Sequence, residues 1–320
     1  MSRLSVALMG AGQMGSNHAR VISESVVARL SVVIDPNPVA AQRLAELYGC
    51  RASSYIEDAL AADAVVIAAS TQARIECVTP VLQAGIPVFV EKPFALDLAT
   101  LDQMLALAAH KNTPVMCGFV ERFNAAIRTA AALLDEEPVH VLCTRHSPPA
   151  PRIASSVVHD MLLHDLDLAV GLFGWQEPVL MGSACVRPPG GQHFEIADCT
   201  IGFDGKGLAT LSSNRMGHRK IRAVSIYGAT KLVEVDLLRQ AVTVYRNVSQ
   251  EMTQSGGGVG YRSSTEVDIP FVRHSGEPLA LQFAHFLSLI DGAADIDIER
   301  QRIRPAHVLA QGIEDGLHVH

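Results

Sequence analysis

LSVALMGAGQMG, residues 4–15, decides how this chain is read. Leu4–Met9 is a short apolar run with β character, Gly10-Ala11-Gly12-Gln13-Met14-Gly15 closes it, and a helical pattern through Ala19, Val21 and Ile22 follows. A lone G-x-G-x-x-G is weak, but strand before and helix after is the context it requires. Gly10 allows the tight turn, Gly12 lets backbone approach a pyrophosphate, and Gly15 permits close helix–strand packing, with Gln13 and Met14 in the same loop. The new helix presents N–H donors to the anion. Leu30–Ile34 then reads as a second strand ending in Asp35, 20 residues past Gly15, about the interval at which a carboxylate reaches the adenosine ribose. Asp35 would repel a 2′-phosphate and Pro36-Asn37-Pro38 offers no cation to receive one, so NAD is favoured over NADP.

The alternation continues outward. Ala64–Ala69 is a buried strand, a helix over about 74–84 stops at Gly85, and Val88–Val90 leads into Glu91-Lys92-Pro93 and a helix through about 110. Val115–Cys117 reads as one more strand before Gly118. Strands and helices of this length in alternation predict a doubly wound parallel sheet. Ligands of such sheets lie beyond the strand C-termini, where Ser70, Thr71, Glu91 and Lys92 fall. Taken alone, a lysine there reads more readily as a solvated loop residue than as a catalyst.

Past Gly118 the pattern becomes strand-rich. Strands are expected at 139–144, 178–186, 197–203, 208–213, 221–227, 232–236 and 242–245, with a hairpin at Asp204-Gly205-Lys206-Gly207. Residues 255–265, rich in Gly, Ser and Thr, read as a flexible loop, and helices at about 279–291 and 303–317 end the sequence. The expected division is 1–118 for a dinucleotide-binding Rossmann domain and 119–320 for a substrate-binding and oligomerisation α/β domain with a large open, mostly antiparallel sheet.

One segment of the second half is unusual. VVHDMLLHDLDLAVGLFG, residues 157–174, puts Asp160, His164 and Asp167 on one stripe of a helix, and Leu162, Leu166, Ala169, Val170 and Phe173 on an apolar one. The polar stripe is a candidate site. His159, Asp160 and His164 lack the H-E-x-x-H spacing of a zinc site, and the six cysteines contain no C-x-x-C pair, so no metal is expected. His159 and Asp165 read as cap or surface partners, and Asp167 as either a substrate contact or a backbone anchor.

GAGQMGSNHAR, VVIDPNP, VEKPFAL, GFVERFNAAIR (118–128), D-x-x-x-H-D-x-D (160–167) and the block 214–236 resemble the GFO/IDH/MocA oxidoreductase family over nearly the whole chain. The resemblance implies a Rossmann domain followed by an open-sheet domain that packs sheet to sheet, as a homodimer or homotetramer. It matches Lys92 to the family's E-K-P lysine, and Asp160 and His164 to its catalytic pair. His164 would be the base for a substrate hydroxyl, Asp160 would fix its tautomer, and Lys92 would donate to the substrate oxygen, all beside the nicotinamide. Arg122, in the 121–124 segment expected to pass beneath the cofactor, is a further cofactor contact, and Asn124 a substrate contact. Within the family, G-F-V-E-R-F-N and RHSPPAPRI (145–153) are similar to the group that oxidises the 3-hydroxyl of a nucleotide sugar such as UDP-N-acetylglucosamine. Arg145 and Arg152 then become candidates for phosphate on a rim stiffened by the prolines, or equally for capping a loop or pairing with Asp and Glu. Two positions depart from the family pattern: Ser70–Arg74 replaces a Thr-Pro…His run, and Ala125 a proline. A cyclitol, aminosugar or nucleoside substrate is the alternative, and a non-catalytic NAD sensor is the reading of a different class.

The chain has 320 residues, is 48% hydrophobic and carries net charge −7, which suits two cored domains and argues against a nucleic-acid partner. No apolar run approaches the roughly 18 residues of a membrane span. MSRLSVALMGAG has too short an apolar run for a signal peptide, so a reducing cytoplasmic setting is expected.

Overall fold

The computed structural model describes residues 3–149, 155–253 and 259–316, which form two compact units. The first contains Met1–Val120 and Gly276–Gln311, the second Glu121–Ser275 and Gly312–His320.

In the first unit, β1 (Leu4–Met9), β2 (Ala28–Ile34), β3 (Arg51–Ser53), β4 (Ala64–Ile67), β5 (Val88–Val90) and β6 (Val115–Cys117) form a parallel sheet in the order β3-β2-β1-β4-β5-β6. This is the doubly wound order, with its reversal at β1/β4. Every residue of β4, β5 and β6 is buried, which is why these strands read as unbroken apolar runs. The connecting helices are α1 (Gln13–Glu24), α2 (Pro38–Tyr48), α3 (Thr71–Gln83) and α4 (Leu98–His110). Asn37 caps α2 through Val39 and Ala40, with Pro38 in its first turn, and Asp97 caps α4 through Thr100.

The second unit opens with α5 (Ala125–Leu133) and β7 (His140–His146). A π-helical turn, Val158–Leu162, leads directly into α6 (Leu163–Leu172). Then follow β8 (Pro178–Val186), β9 (Ile196–Phe203), β10 (Gly207–Asn214), β11 (Ile221–Tyr227), β12 (Lys231–Asp236), β13 (Ala241–Thr253) and β14 (Val259–Asp268). The sheet order is β14-β13-β12-β11-β7-β10-β9-β8, antiparallel except for the β7/β10 pair. Alternation sets its buried face: Val141, Cys143 and Arg145 on β7, Ala209, Leu211 and Ser213 on β10, and Ala197, Cys199, Ile201 and Phe203 on β9. Phe173, just past α6, stacks on Phe203 with ring centroids 4.0 Å apart.

Two expectations are corrected. The segment read as a loop over 255–265 is largely strand: β14 starts at Val259 and pairs with β13 through Thr253↔Val259 to Val244↔Asp268, while residues 254–258 lie outside the described residues. Residues 263–268 of this edge strand are all exposed, so among them no buried face impresses a period of two on the sequence. The C-terminal helices α7 (Pro278–Ile290), α8 (Ile296–Gln301) and α9 (Arg304–Glu314) were assigned to the second domain, yet residues up to Gln311 pack with the first. The reason is apolar and polar at once. Phe286 meets Phe89 edge-on at 5.8 Å, Gln282 Nε2 donates to the Cys117 carbonyl, and His307 Nε2 accepts from the Phe94 amide at 3.0 Å.

Among the described residues, no helix is long and apolar enough to cross a membrane.

Phe286 is fully buried, so Phe286→Ala should destabilise the chain by about 3–5 kcal/mol in urea unfolding followed by circular dichroism. A cost below about 1 kcal/mol, that of a peripheral position, would show that this helix is not part of the first core.

Candidate active site

The glycine turn of the first unit is shaped by contacts no side chain could replace. Gly10 has φ +102°, and a Cβ there would lie 2.6 Å from the Ala68 carbonyl oxygen. A Cβ on Gly15 would sit 1.9 Å from the Gly10 oxygen, so the helix begins in contact with the turn. Gly12 is the opposite case, with nothing within 4 Å of where its Cβ would be. Gly12 is also the residue that starts α1, no side chain caps that terminus, and its first turn contains no acid. Gln13 and Met14 are exposed beside it. Open backbone at Gly12 over an uncapped helix start fits a dinucleotide pyrophosphate.

Asp35 leaves β2 half-buried. Its Oδ2 accepts from the Ala11 amide at 2.7 Å and its Oδ1 from Asn37 at 2.8 Å, so the carboxylate is fixed against the turn. Ser70 is exposed and Thr71 half-buried where β4 gives way to α3.

Buried polar groups hold the E-K-P turn from three sides. Glu91 Oε1 is 2.8 Å from His18 Nε2 of α1, and both are buried. Gly118 makes room for this carboxylate, because a Cβ there would fall 2.6 Å from Glu91 Oε2. Burial alone would raise the Glu91 carboxyl, but the His18 hydrogen bond and the charges of His18, Lys92 and Arg74 outweigh it and hold it below its ordinary value. Arg74, 4% exposed, donates to the Pro93 and Ala69 carbonyls. Burial pulls its guanidinium below the usual range even with Glu91 nearby. Phe94 is tied to His307, whose Nδ1 lies 2.8 Å from the Ile303 carbonyl. Lys92 itself is half-buried, its amide donates to Glu91 Oε2, and its bond to Pro93 is cis. Arg74, the last residue of the Ser70–Arg74 run, thus braces the backbone beside Lys92.

In the second unit several predicted contacts turn out to be occupied within the fold. Arg122 makes a bidentate pair with Asp167, Nε to Oδ2 at 2.8 Å and Nη2 to Oδ1 at 2.6 Å, and lies over the Trp175 ring at 4.6 Å. This gives the buried Asp167 an arginine partner. Asn124 caps α5 by accepting from the Ala126 amide and donates to Glu121. Arg145, a phosphate candidate by sequence, is buried instead. It is 3% exposed, with Nε and Nη2 on Asp165 and Nη1 on Glu121 Oε1 at 3.0 Å. Burial opposes the charge on Arg145, but these two carboxylates outweigh it and raise its pKa. A guanidinium buried in this way and neutralised by two carboxylates is not presented to a phosphate. Asp165, expected as a surface partner, is 2% exposed. Arg152 lies outside the described residues.

Asp160 and His164 are both partly accessible, at the π-helical turn and in the first turn of α6. Such one-turn irregularities are frequent at functional sites. The single polar stripe expected of a straight helix is divided: Asp160 and His164 reach the surface, whereas Asp167 is buried. Behind Asp160 stands Arg215, a residue absent from the sequence-based site. It is 2% exposed, chelates Glu195 through Nε at 2.7 Å and Nη2 at 2.9 Å, donates to the Ser155 carbonyl, and holds Asp160 Oδ2 from Nη1 at 3.2 Å. Its signal was present in the sequence, since Ala209, Leu211, Ser213 and Arg215 share one strand parity.

Known proteins resemble this chain over most of its length. Residues 4–119 match the family model described as "Oxidoreductase family, NAD-binding Rossmann fold". Inositol 2-dehydrogenase of Rhizobium meliloti is 30% identical over 307 residues, covering 90% of this chain and 89% of that protein. UDP-N-acetylglucosamine 3-dehydrogenase of Acidithiobacillus ferrooxidans is 27% identical over 250 residues, 77% of this chain and 78% of the other. The solved structure of the Acidithiobacillus enzyme superposes with TM-score 0.85 at 24% identity, covering 99% of this chain and 98% of that one, which establishes the shared fold.

The depressed Glu91 carboxyl has a consequence for stability. Its folded pKa lies below its ordinary 4.5, so its contribution is complete above about pH 4.5 and is lost as pH falls through the folded value. Glu91→Gln should therefore flatten the acid limb of a stability–pH curve measured by urea unfolding. An acid limb equally steep in the variant would refute the role of the His18–Glu91 pair.

Proposed function

The chain belongs to the GFO/IDH/MocA oxidoreductase family, and from that premise we propose that it oxidises, or reversibly reduces, a secondary hydroxyl of a sugar-like substrate using NAD. The finer reading is the 3-hydroxyl of a nucleotide sugar such as UDP-N-acetylglucosamine. The observation that carries the catalytic reading is Asp160, anchored by a buried arginine, with the partly exposed His164 four residues on.

A bound NAD would lie on the Gly10–Gly15 turn and Asp35, with Ser70, Thr71 and Glu91 at the neighbouring strand ends, and it supplies the hydride acceptor. The residues of the chain do the rest. His164 takes the hydroxyl proton, a task suited to imidazole because that side chain as a class titrates near neutral pH. Asp160 orients the ring and stabilises its protonated form, and Arg215 keeps the Asp160 carboxylate in place. Lys92 donates to the substrate oxygen and stabilises negative charge there. The braces from Glu91 and Arg74 limit how far its backbone can move.

The likeness to an inositol 2-dehydrogenase over 90% of the chain supports a cyclitol as the second reading. Assembly through the second sheet, as a homodimer or homotetramer, is supported by Val179, Met181 and Leu208, each exposed on β8 or β10. A reducing, cytoplasmic setting is supported by six cysteines between which the described residues form no disulfide.

Incubation with NAD and a panel of nucleotide sugars, aminosugars and inositols should yield NADH with at least one member. Lys92→Ala and His164→Ala should each lower kcat by about 10²–10⁴ with NAD affinity retained. No NADH from any member, with NAD still bound, would favour the sensor instead. Asp35→Ala should narrow the preference for NAD over NADP by roughly tenfold in kcat/KM, and an unchanged ratio would refute the ribose assignment.

A further inference from the structure

The dehydrogenase reading leaves open whether the substrate is a neutral cyclitol or an anionic nucleotide sugar, and a cationic run in the second unit bears on that choice. From the end of β10 into the start of β11 the chain reads R-M-G-H-R-K-I-R, residues 215–222. Arg215 turns inward to Glu195 and Asp160, as described. His218, Arg219, Lys220 and Arg222 are all exposed, in a chain whose net charge is −7. Among the described residues, Arg219 and Lys220 pair with no carboxylate. Arg222 approaches one, Glu121, at 3.9 Å.

The connection is held in place rather than loosely tethered. Met216 donates to Asn214 Oδ1 at 2.7 Å, and Gly217 donates to the Ser147 carbonyl at 2.9 Å, immediately past β7. Arg222 sits opposite Arg145 in the β7/β11 register, so the two share a face of the sheet. Arg145 is sealed inside with Asp165 and Glu121, and Arg222 is the member of that pair left with its side chain 44% exposed. Burial, and to a smaller degree Arg145, lowers the Arg222 pKa, and Glu121, Asp165 and Asp160 partly offset this. A partly desolvated cation within electrostatic reach of Asp160 gains from an added anion.

We propose that Arg222, Arg219 and Lys220 form a subsite for the phosphate groups of the substrate, which is accordingly a nucleoside diphosphate sugar and not a free cyclitol. This rests on the dehydrogenase reading and on Asp160 as part of its site. Guanidinium groups offer paired donors to phosphate oxygens, and the lysine adds an ammonium with little geometric demand. The role first expected of Arg145 thereby passes to its exposed neighbour. Six residues lie between Arg215 and Arg222, so one short stretch both anchors the candidate catalytic aspartate and presents the cations.

The test is calorimetric titration of UDP into the full chain saturated with NAD, so that the pyrophosphate of the cofactor does not compete for the subsite. UDP should bind more tightly than uridine, and its affinity should fall as salt rises. Arg222→Gln, and the double variant Arg219→Gln with Lys220→Gln, should each weaken UDP by roughly five- to tenfold, the scale of a few partly exposed charge-assisted hydrogen bonds. Arg239→Gln, which removes an exposed charge on the β12–β13 turn, should leave UDP affinity unchanged. UDP no tighter than uridine, equal weakening by Arg239→Gln, or variants that weaken NAD instead of UDP would each overturn the subsite. Because the titration involves no turnover, UDP binding without NADH from any sugar would refute the dehydrogenase reading and leave the subsite standing.

Discussion

An arginine can leave water only if oxygen atoms follow it, and this chain buries Arg74, Arg145 and Arg215 to 4% exposure or less. Removing one partner of such a group costs on the order of 3–5 kcal/mol, because the remaining charge is left uncompensated. The partners are therefore obligatory, and they come from separate elements. Arg145 of β7 requires Asp165 of α6 and Glu121 of the preceding turn. Arg215, past β10, requires Glu195 before β9 and Asp160 of the π-helical turn. Replacing such clusters by apolar residues can be neutral or stabilising, so their effect lies less in net stability than in deciding which surfaces must meet.

A common construction runs through both units. Groups suited to chemistry are partly exposed at their tips, and their backbones are fixed by polar contacts that water does not reach. Lys92 lies between Glu91, held by His18, and Pro93, held by Arg74. Asp160 accepts from a guanidinium that is itself chelated by Glu195. Precision of about half an ångström in such groups depends on this kind of supporting shell.

Much of this was legible in the residues. The strand–glycine–helix context of residues 4–15 located the nucleotide turn, and unbroken apolar runs located the parallel strands, because both signals arise from burial on two faces or from a backbone only glycine allows. The strand β14 was invisible because an exposed edge leaves no periodicity. Arg145 and Arg215 were misread or missed for a different reason. Strand parity places each on the buried face, with Val141 and Cys143 in one case and Ala209 and Leu211 in the other. The residue type argued for the surface, and only the carboxylates delivered by distant elements resolve the conflict. Likewise Phe286 and His307 belong to the first unit through Phe89 and Phe94, contacts that no linear boundary at residue 118 could express.

The lone parallel pair of the large sheet, β7 beside β10, carries a topological obligation. Two strands pointing the same way cannot be joined by a hairpin, so the chain must travel the length of the sheet before the second can be laid down. The path between them includes the π-helical turn and α6. The helix bearing Asp160 and His164 is thus the return route that makes the central pairing achievable. Deleting it would sever the middle of the sheet, which leaves side-chain exchange on its surface as the open route by which this scaffold can change what it acts upon.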